Sequence, residues 1–369
     1  MEEAQAKDTT AHTEHEHHEG CEHTHSDQPK PVLCVATLQF DEFHSPAAEG
    51  KSGGWTFYHS SYPMFSAKQL DQISDTVGTM GMPEVFYGFN HLYIANPSKD
   101  LLLEFSPVPA LSLSAFVAQQ RMLRSKGEAS LAEGLSQLGL GAEASGAAAV
   151  EEERKLNLVD IVPKLIEVKE ANLWKKKDMS KVKDFKQIEI ISDWTYSTPY
   201  KGNVFKLSRH AKRVKLETSL VIPAEAAPSR NLHFELAPEG TEIPLSRLGR
   251  DNPIVHFGEI YLYEDDLGDQ GYTCCSLRYR VMNDCFYVLH RYYLRVDEVL
   301  VRIYDTRLFH SFDTGYIVRE FQHKESSYEE LRGRGFKLNS EWSLSKQQAD
   351  EVFPQLALRA KVVDKVVFA

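Results

Sequence analysis

The chain is predicted to adopt an α+β fold, mostly an antiparallel β-sandwich with flanking helices in a single domain. Three observations carry this. The first is the run from Glu259 to Ser311, where β-branched and aromatic residues dominate and turn chemistry recurs at 265–271, 282–284 and 296–298. Four strands joined by short turns make an antiparallel meander. The second is alternation: Cys275, Leu277, Tyr279 and Val281 interleave with Ser276, Arg278 and Arg280. One face therefore meets a core and the other shows arginines to water. Leu277, Val281, Leu289 and Leu294 are assigned to that core. The third is that helical periodicity is confined to short stretches, at Ala67 to Thr79 behind the N-cap residue Ser66, and at Leu111 to Arg124.

In chain order, residues 1–31 lack large apolar side chains and cannot offset their ordering entropy, so they read as a disordered His-rich tail. The globular domain runs from 32 to 369, with strands expected at Val32 to Phe40, Trp55 to His59, Val85 to Phe89, His91 to Ala95 and Leu101 to Phe105. Residues 125–150 are poor in aromatics and rich in Ala, Gly, Ser and Glu, and read as a low-complexity insertion. A strand pattern resumes at Gln187 to Trp194, and a second loose insertion spans 212–238. A short helix ending near Gly249 leads into the meander. Beyond it stand a capping box at Ser345 and Gln348 and a valine-rich final helix or strand around Val362 to Val367.

The 369 residues carry a net charge of −11, which argues against a general binder of nucleic acid or anionic membrane and points to a protein or small-molecule partner. No apolar run approaches the roughly 20 residues of a membrane span. The first residues are acidic and polar where a signal peptide starts basic and turns apolar. Five cysteines form no disulfide framework. These features fit the cytoplasm, or the nucleus as well.

Catalytic chemistry is sparse. The run Gly139 to Gly146 has the wrong spacing for a dinucleotide loop, and the acidic turn at 264–269 lacks the oxygen pattern of a calcium loop. His256, His290 and His310 sit singly in strands and read as structural. The tail, with His12, His15, His17, His18, His23, His25 and Cys21, can wrap a metal ion without preformed geometry. No cofactor and no metal site is expected in the folded domain. Arg291, Arg295 and Arg302 on successive strands are candidates to hold a carboxylate, with ordinary solvated strand positions as the alternative.

Five blocks then carry a family resemblance: SDWTYSTPYKG at 192–202, EIYLYEDDLGDQG at 259–271, YRVM at 279–282, RYYLRVDEVLVRIYDTRLFH at 291–310 and YIVREF at 316–321. With the block from Gly54 to Ile94, they closely resemble the TIPRL family, the Tip-forty-one-like regulators of the TOR signalling pathway. The tail and the two insertions depart from its pattern. The resemblance implies a non-enzymatic regulator that binds catalytic subunits of type 2A serine/threonine phosphatases, including their C-terminal tail, and modulates their activity or assembly. A phosphatase-associated protein of the Tap or alpha-4 type is a further implied partner. The implied contact positions are Ile243, Ile303, Asp305 and Arg307, with Pro109 where the family often has an acid. An Asp305–Arg307 ion pair that serves only the fold is the alternative, as is a core role for Ile243. A metal-dependent hydrolase and a carbohydrate-binding β-sandwich are the other function classes in view.

Overall fold

The computed structural model describes residues 41–45, 54–115 except 78 and 80, 194–207, 233–249, 253–338 and 351–368. All of them belong to one compact unit that begins at Val32. The His-rich tail, the 32–40 strand, the 125–150 insertion and the Ser345 capping box lie outside the described residues, as do most of the 187–194 strand and of the 212–238 insertion.

Two antiparallel sheets make up the described chain. The smaller has five strands in the order β1 (Asp41–His44), β2 (Thr56–Ser60), β4 (His91–Asn96), β5 (Leu101–Phe105) and β6 (Asn203–Lys206). The longer has eight: β3 (Val85–Phe86), β8 (His256–Asp265), β9 (Gly271–Val281), β10 (Cys285–Val296), β11 (Leu300–Ser311), β12 (Tyr316–Ser327), β13 (Leu358–Val367) and β7 (His233–Leu236). The expected four-strand meander is β8 to β11, with turns where the polar and glycine residues fall. The valine-rich C-terminus is the strand β13. Strand β7 lies inside the stretch expected to be a loose insertion, where the segment His233–Leu236 pairs with Asp364–Val367. Among the described residues, helix is found at α1 (Ala67–Val77), α2 over residues 107–115, and α3 (Tyr328–Gly333). At α3 the Ser327 hydroxyl accepts from the Glu330 amide and the Glu330 carboxylate accepts from the Ser327 amide, a reciprocal cap.

The sheets meet over one core. Trp55, Phe57, Ile94, Leu103 and Phe105 of the small sheet join Leu277, Tyr279, Phe286, Tyr292, Leu294, Tyr304, Phe321 and Val366 of the long one. Trp55 meets Phe286 edge-on at 5.2 Å, and Phe57 stacks on Tyr279 at 5.8 Å. Gly258 has to be glycine here, because a Cβ would lie 2.4 Å from the Tyr279 ring.

A strap at residues 194–202 crosses this core and ties both layers to it. The Tyr292 hydroxyl donates to the Thr195 carbonyl, Tyr263 to the Tyr196 carbonyl and Thr306 to the Tyr200 carbonyl, while Thr198 donates to Ala110 in α2. Tyr196 and Tyr200 are buried and Trp194 packs against the cluster, so these aromatics build the fold.

The outer face of the long sheet departs from the expected solvated surface. Its two ends are covered. Tyr293, Val301 and Ile303 lie under Tyr328, Leu331, Val352 and Leu356, and Tyr287 and Val318 lie under Ile243 and Leu248. Leu289 also departs from expectation. Leu277, Val281 and Leu294 are wholly buried in the main core, but Leu289 is half-buried on the outer face. Residues 289 and 294 are an odd number apart on one uninterrupted strand, so they must point to opposite faces.

Buried histidines set a pH limit on this packing. Burial pushes His290 and His310 down to about 4. A group whose folded pKa is depressed below its unfolded value of about 6.5 is protonated first in the unfolded chain, so stability is complete above that value and falls as pH drops toward 4. Unfolding near pH 5 should therefore take up about two protons from this pair. A melting temperature that stays flat from pH 6.5 to pH 4.5 would contradict it.

The strand parity is tested by two truncations. Leu294→Ala should cost about 2–5 kcal/mol in denaturant unfolding through lost burial and a residual cavity, and Leu289→Ala less than about 1 kcal/mol. Equal losses would mean that the faces of β10 are wrongly assigned.

Candidate partner-binding face of the long sheet

Strand register places two rows of side chains across the middle of the outer face. One row reads Glu259, Arg278, Leu289, Arg307, Glu320 and Val363. The other reads Tyr261, Ser276, Arg291, Asp305, Gln322 and Lys361. The two covered ends rise on either side, with Ile303 in one mound and Ile243 in the other. Arg291 lies 4.8 Å over the Phe353 ring, which joins the band to the first mound.

Charges along the band are already paired. Arg291 binds Asp305 bidentately through Nε at 2.6 Å and Nη2 at 2.7 Å, and Arg307 Nη2 reaches the same carboxylate at 2.8 Å. Arg307 Nη1 then meets Glu320 Oε1 at 2.9 Å, and Lys361 Nζ meets Glu320 Oε2 at 2.9 Å. Gln322 Nε2 also donates to Glu320. Arg278 pairs with Glu259 at 2.7 Å. Asp305 is only 3% exposed. Burial alone would raise its pKa, but Arg291 and then Arg307 outweigh it and hold the carboxyl below the usual range.

The candidate residues thus fall into three groups. Asp305 and Arg307 form the ion pair that strand spacing suggested, and it is part of a longer alternating chain. Ile243 and Ile303 flank the band. Pro109 is elsewhere: it lies in α2, whose Val108, Ala110 and Leu111 enter the main core on the other face of the long sheet.

The three arginines proposed as carboxylate holders also separate. Arg291 is in the band but committed to Asp305. Arg295 pairs with Asp297 at 2.8 Å, next to the β10–β11 turn. Arg302 is not on this face at all. It is 1% exposed, points into the layer between the sheets, and donates to Glu325 at 2.6 Å and to Ser197 at 3.1 Å. An even-numbered residue on β11 shares the core face with Tyr304 and Leu308, which is why Arg302 and Arg307 diverge.

Sequence reasoning missed Glu320, Gln322 and Lys361. Alternation of Glu320, Gln322 and Lys324 with Phe321 and His323 was the available signal for β12. Lys361 could be joined to the band only by the register of β13. The acidic turn after β8 holds no ion-binding arrangement of its own: the Asp265 carboxylate is spent on the amides of Glu84 and Leu267. Among the described residues, no group of three or more His, Cys, Asp or Glu side chains converges as metal ligands.

Comparison with known proteins agrees with this architecture. Residues 85–332 match the TIP41-like family, a span that includes strands β3 to β12. A TIP41-like protein of Dictyostelium discoideum is 26% identical over 281 residues, which is 76% of this chain and 80% of that protein. The human TIP41-like protein is 30% identical over 176 residues, 48% of this chain and 54% of its own length. The type 2A phosphatase activator TIP41 of Saccharomyces cerevisiae is 30% identical over 139 residues, 38% of this chain and 32% of that protein. The chain thus spans about half the length of its human relative and most of the Dictyostelium one. With that match covering more than half of the chain and most strands of both sheets, this chain belongs to the TIP41-like family.

Proposed function

We propose that the protein is a non-enzymatic regulator that binds the catalytic subunit of a type 2A-group serine/threonine phosphatase, through the outer face of its long sheet. Two relatives, from Saccharomyces cerevisiae and Schizosaccharomyces pombe, bear the name type 2A phosphatase activator, and this supports the partner class. The observation that carries the choice of surface is the charged band set between two apolar mounds. Its ladder is satisfied before a partner arrives, so its side chains are held in place and lose little freedom on binding. Arg278 and Lys361 keep exposed donors at the two ends, and Leu289 offers an apolar contact midway.

An extended segment such as the phosphatase C-terminal tail fits across these rows, with apolar side chains against the mounds and acidic groups near Arg278 and Lys361. Asp305 contributes at one remove. It is too buried to be a principal contact, and it fixes Arg291 and Arg307. Action within TOR signalling, association with a Tap or alpha-4-type protein and a cytoplasmic location belong to the same proposal.

Binding is tested at Leu289, which is half-buried on the outer face between Arg278 and Arg307. Leu289→Glu should leave unfolding nearly unchanged, since Arg278 and Arg307 flank it, and should weaken affinity for a purified type 2A catalytic subunit at least about tenfold. Undiminished affinity in calorimetry would move the interface off this face.

Asp305→Asn tests the ladder separately. Removing the shared charge from beneath two partly buried guanidiniums should cost about 2 kcal/mol of stability or more. A variant as stable as the parent would show that the pairing contributes nothing net to the fold.

A further inference from the structure

Sheet edges offer unpaired backbone groups to other chains, and most edges here are blunted. β1 (Asp41–His44) and β7 (His233–Leu236) are four residues long and carry acids, and β6 is as short and ends in Lys206. At the remaining edge β3 covers only Tyr263 and Glu264 of β8, and the Asn90 side-chain amide takes the Tyr261 carbonyl. From His256 to Ile260, β8 has no strand on that side among the described residues. The stretch is apolar: Phe257 is 72% exposed on the outer face, with Val255 and Tyr261 exposed two positions and four positions from it on the same side. An apolar edge without lysine or proline is a template for a further strand.

Two charged groups beside it are incompletely answered. The Glu259 carboxylate accepts from Arg278 Nε at 2.8 Å and from the Tyr261 hydroxyl at 3.3 Å, and both bonds, like the 2.7 Å contact with Arg278 Nη2, fall on Oε1. Oε2 meets no donor among the described residues. Arg280 lies next to Phe257 in the β8–β9 register, is exposed, and has no ion pair among the described residues. The edge therefore carries a spare acceptor and a spare guanidinium, which cannot meet within one copy because Phe257 stands between Arg280 and the open side.

We infer that this edge pairs with the same edge of a second copy, antiparallel about a two-fold axis at Gly258, so that the two long sheets run on as one. Residues opposite each other in an antiparallel pair share a face, so the axis passes through a residue and not between two. An axis at Glu259 sets two like charges face to face. An axis at Phe257 brings Pro253, which has no amide hydrogen, opposite Tyr261. With the axis at Gly258, Phe257 lies opposite the partner's Glu259, and Val255 opposite the partner's Tyr261. Arg280 then spans two strand spacings, about 10 Å, over the Phe257 ring to the unused carboxylate oxygen, and symmetry repeats the contact. Gly258 puts no side chain at the axis. The pairing does not rest on the phosphatase reading, and it leaves both charged bands on the same side of the joined sheet.

The test is sedimentation of the full chain, without phosphatase, over about a hundredfold range of concentration. A reversible monomer–dimer equilibrium is expected. Phe257→Glu removes the apolar anchor, sets a carboxylate opposite the partner's Glu259, and should raise the dimer dissociation constant at least about tenfold. Arg280→Glu and Glu259→Lys should each weaken self-association at least about fivefold by placing like charges together. Mixed in equal amounts, these two variants restore both opposite-charge contacts, so the heterodimer should form in preference to either homodimer. All three positions are exposed, and thermal melting should stay close to that of the parent. A chain that remains monomeric at every concentration overturns the inference and leaves this edge to a strand of a different protein. A dimer that survives Phe257→Glu unchanged, or a mixture that gains nothing over its components, overturns it as well.

Discussion

A carboxylate that is almost wholly buried has to be neutralised where it stands, and on the outer face of the long sheet that carboxylate is Asp305. Left alone it would cost far more than any single packing contact returns. Two guanidiniums converge on it, one from the same strand and one from the neighbour. The excess positive charge is taken up in turn by Glu320 and passed to Lys361. One buried acid therefore dictates the sign of a side chain on each of the strands β10 to β13. It also dictates register, since a slip of one residue would bring Asp305 to the core face.

The inner layer obeys the same rule with different materials. Arg302 is fully enclosed between the sheets, and Glu325 from the adjacent strand and Ser197 from the strap receive its hydrogens. The strap runs through the core as irregular backbone, so its carbonyls need donors there. The side chains of Tyr263, Tyr292 and Thr306 supply them. The strap's own hydroxyls are spent outward in return, Thr198 on the Ala110 carbonyl and Tyr200 on the Glu104 carbonyl: such pairing is the price of putting a loop in a core. The same arithmetic leaves Lys201 buried beside Asp364, which Arg319 already holds bidentately, and burial with that neighbouring cation lowers Lys201 to about 8.

Much of the architecture was legible because it is local. Hairpin turns are written in consecutive residues, and alternation along β9 named its inward side correctly at Leu277, Tyr279 and Val281. What could not be read was long-range. The mounds that cover the ends of the outer face come from 243–248, 328–338 and 352–356, so strands expected to be half-solvated are buried on both sides there. Counting arginines along the meander found the right side chains but not their parity, and Arg302 was grouped with residues that face the other way. Asp305 and Arg307 were singled out through a family resemblance. Glu320, the partner of Arg307, and Lys361, the partner of Glu320, lie 15 and 56 positions from Asp305 (320 − 305 and 361 − 305), beyond the reach of any local pattern.

The small sheet joins β5 directly to β6, although 97 residues (106–202) separate Phe105 from Asn203 in the chain. The entropy of closing a loop grows only with the logarithm of its length. Stretching a connection of ten residues to this size costs about 2 kcal/mol by simple polymer scaling. A hydrogen-bonded pair of strands, locked from beneath by the strap, can absorb that once and then hardly feels further growth. The β5–β6 connection, between α2 and the strap, is thus a place where the gene can gain or lose sequence cheaply, and where evolution or an engineer could seat a whole additional module.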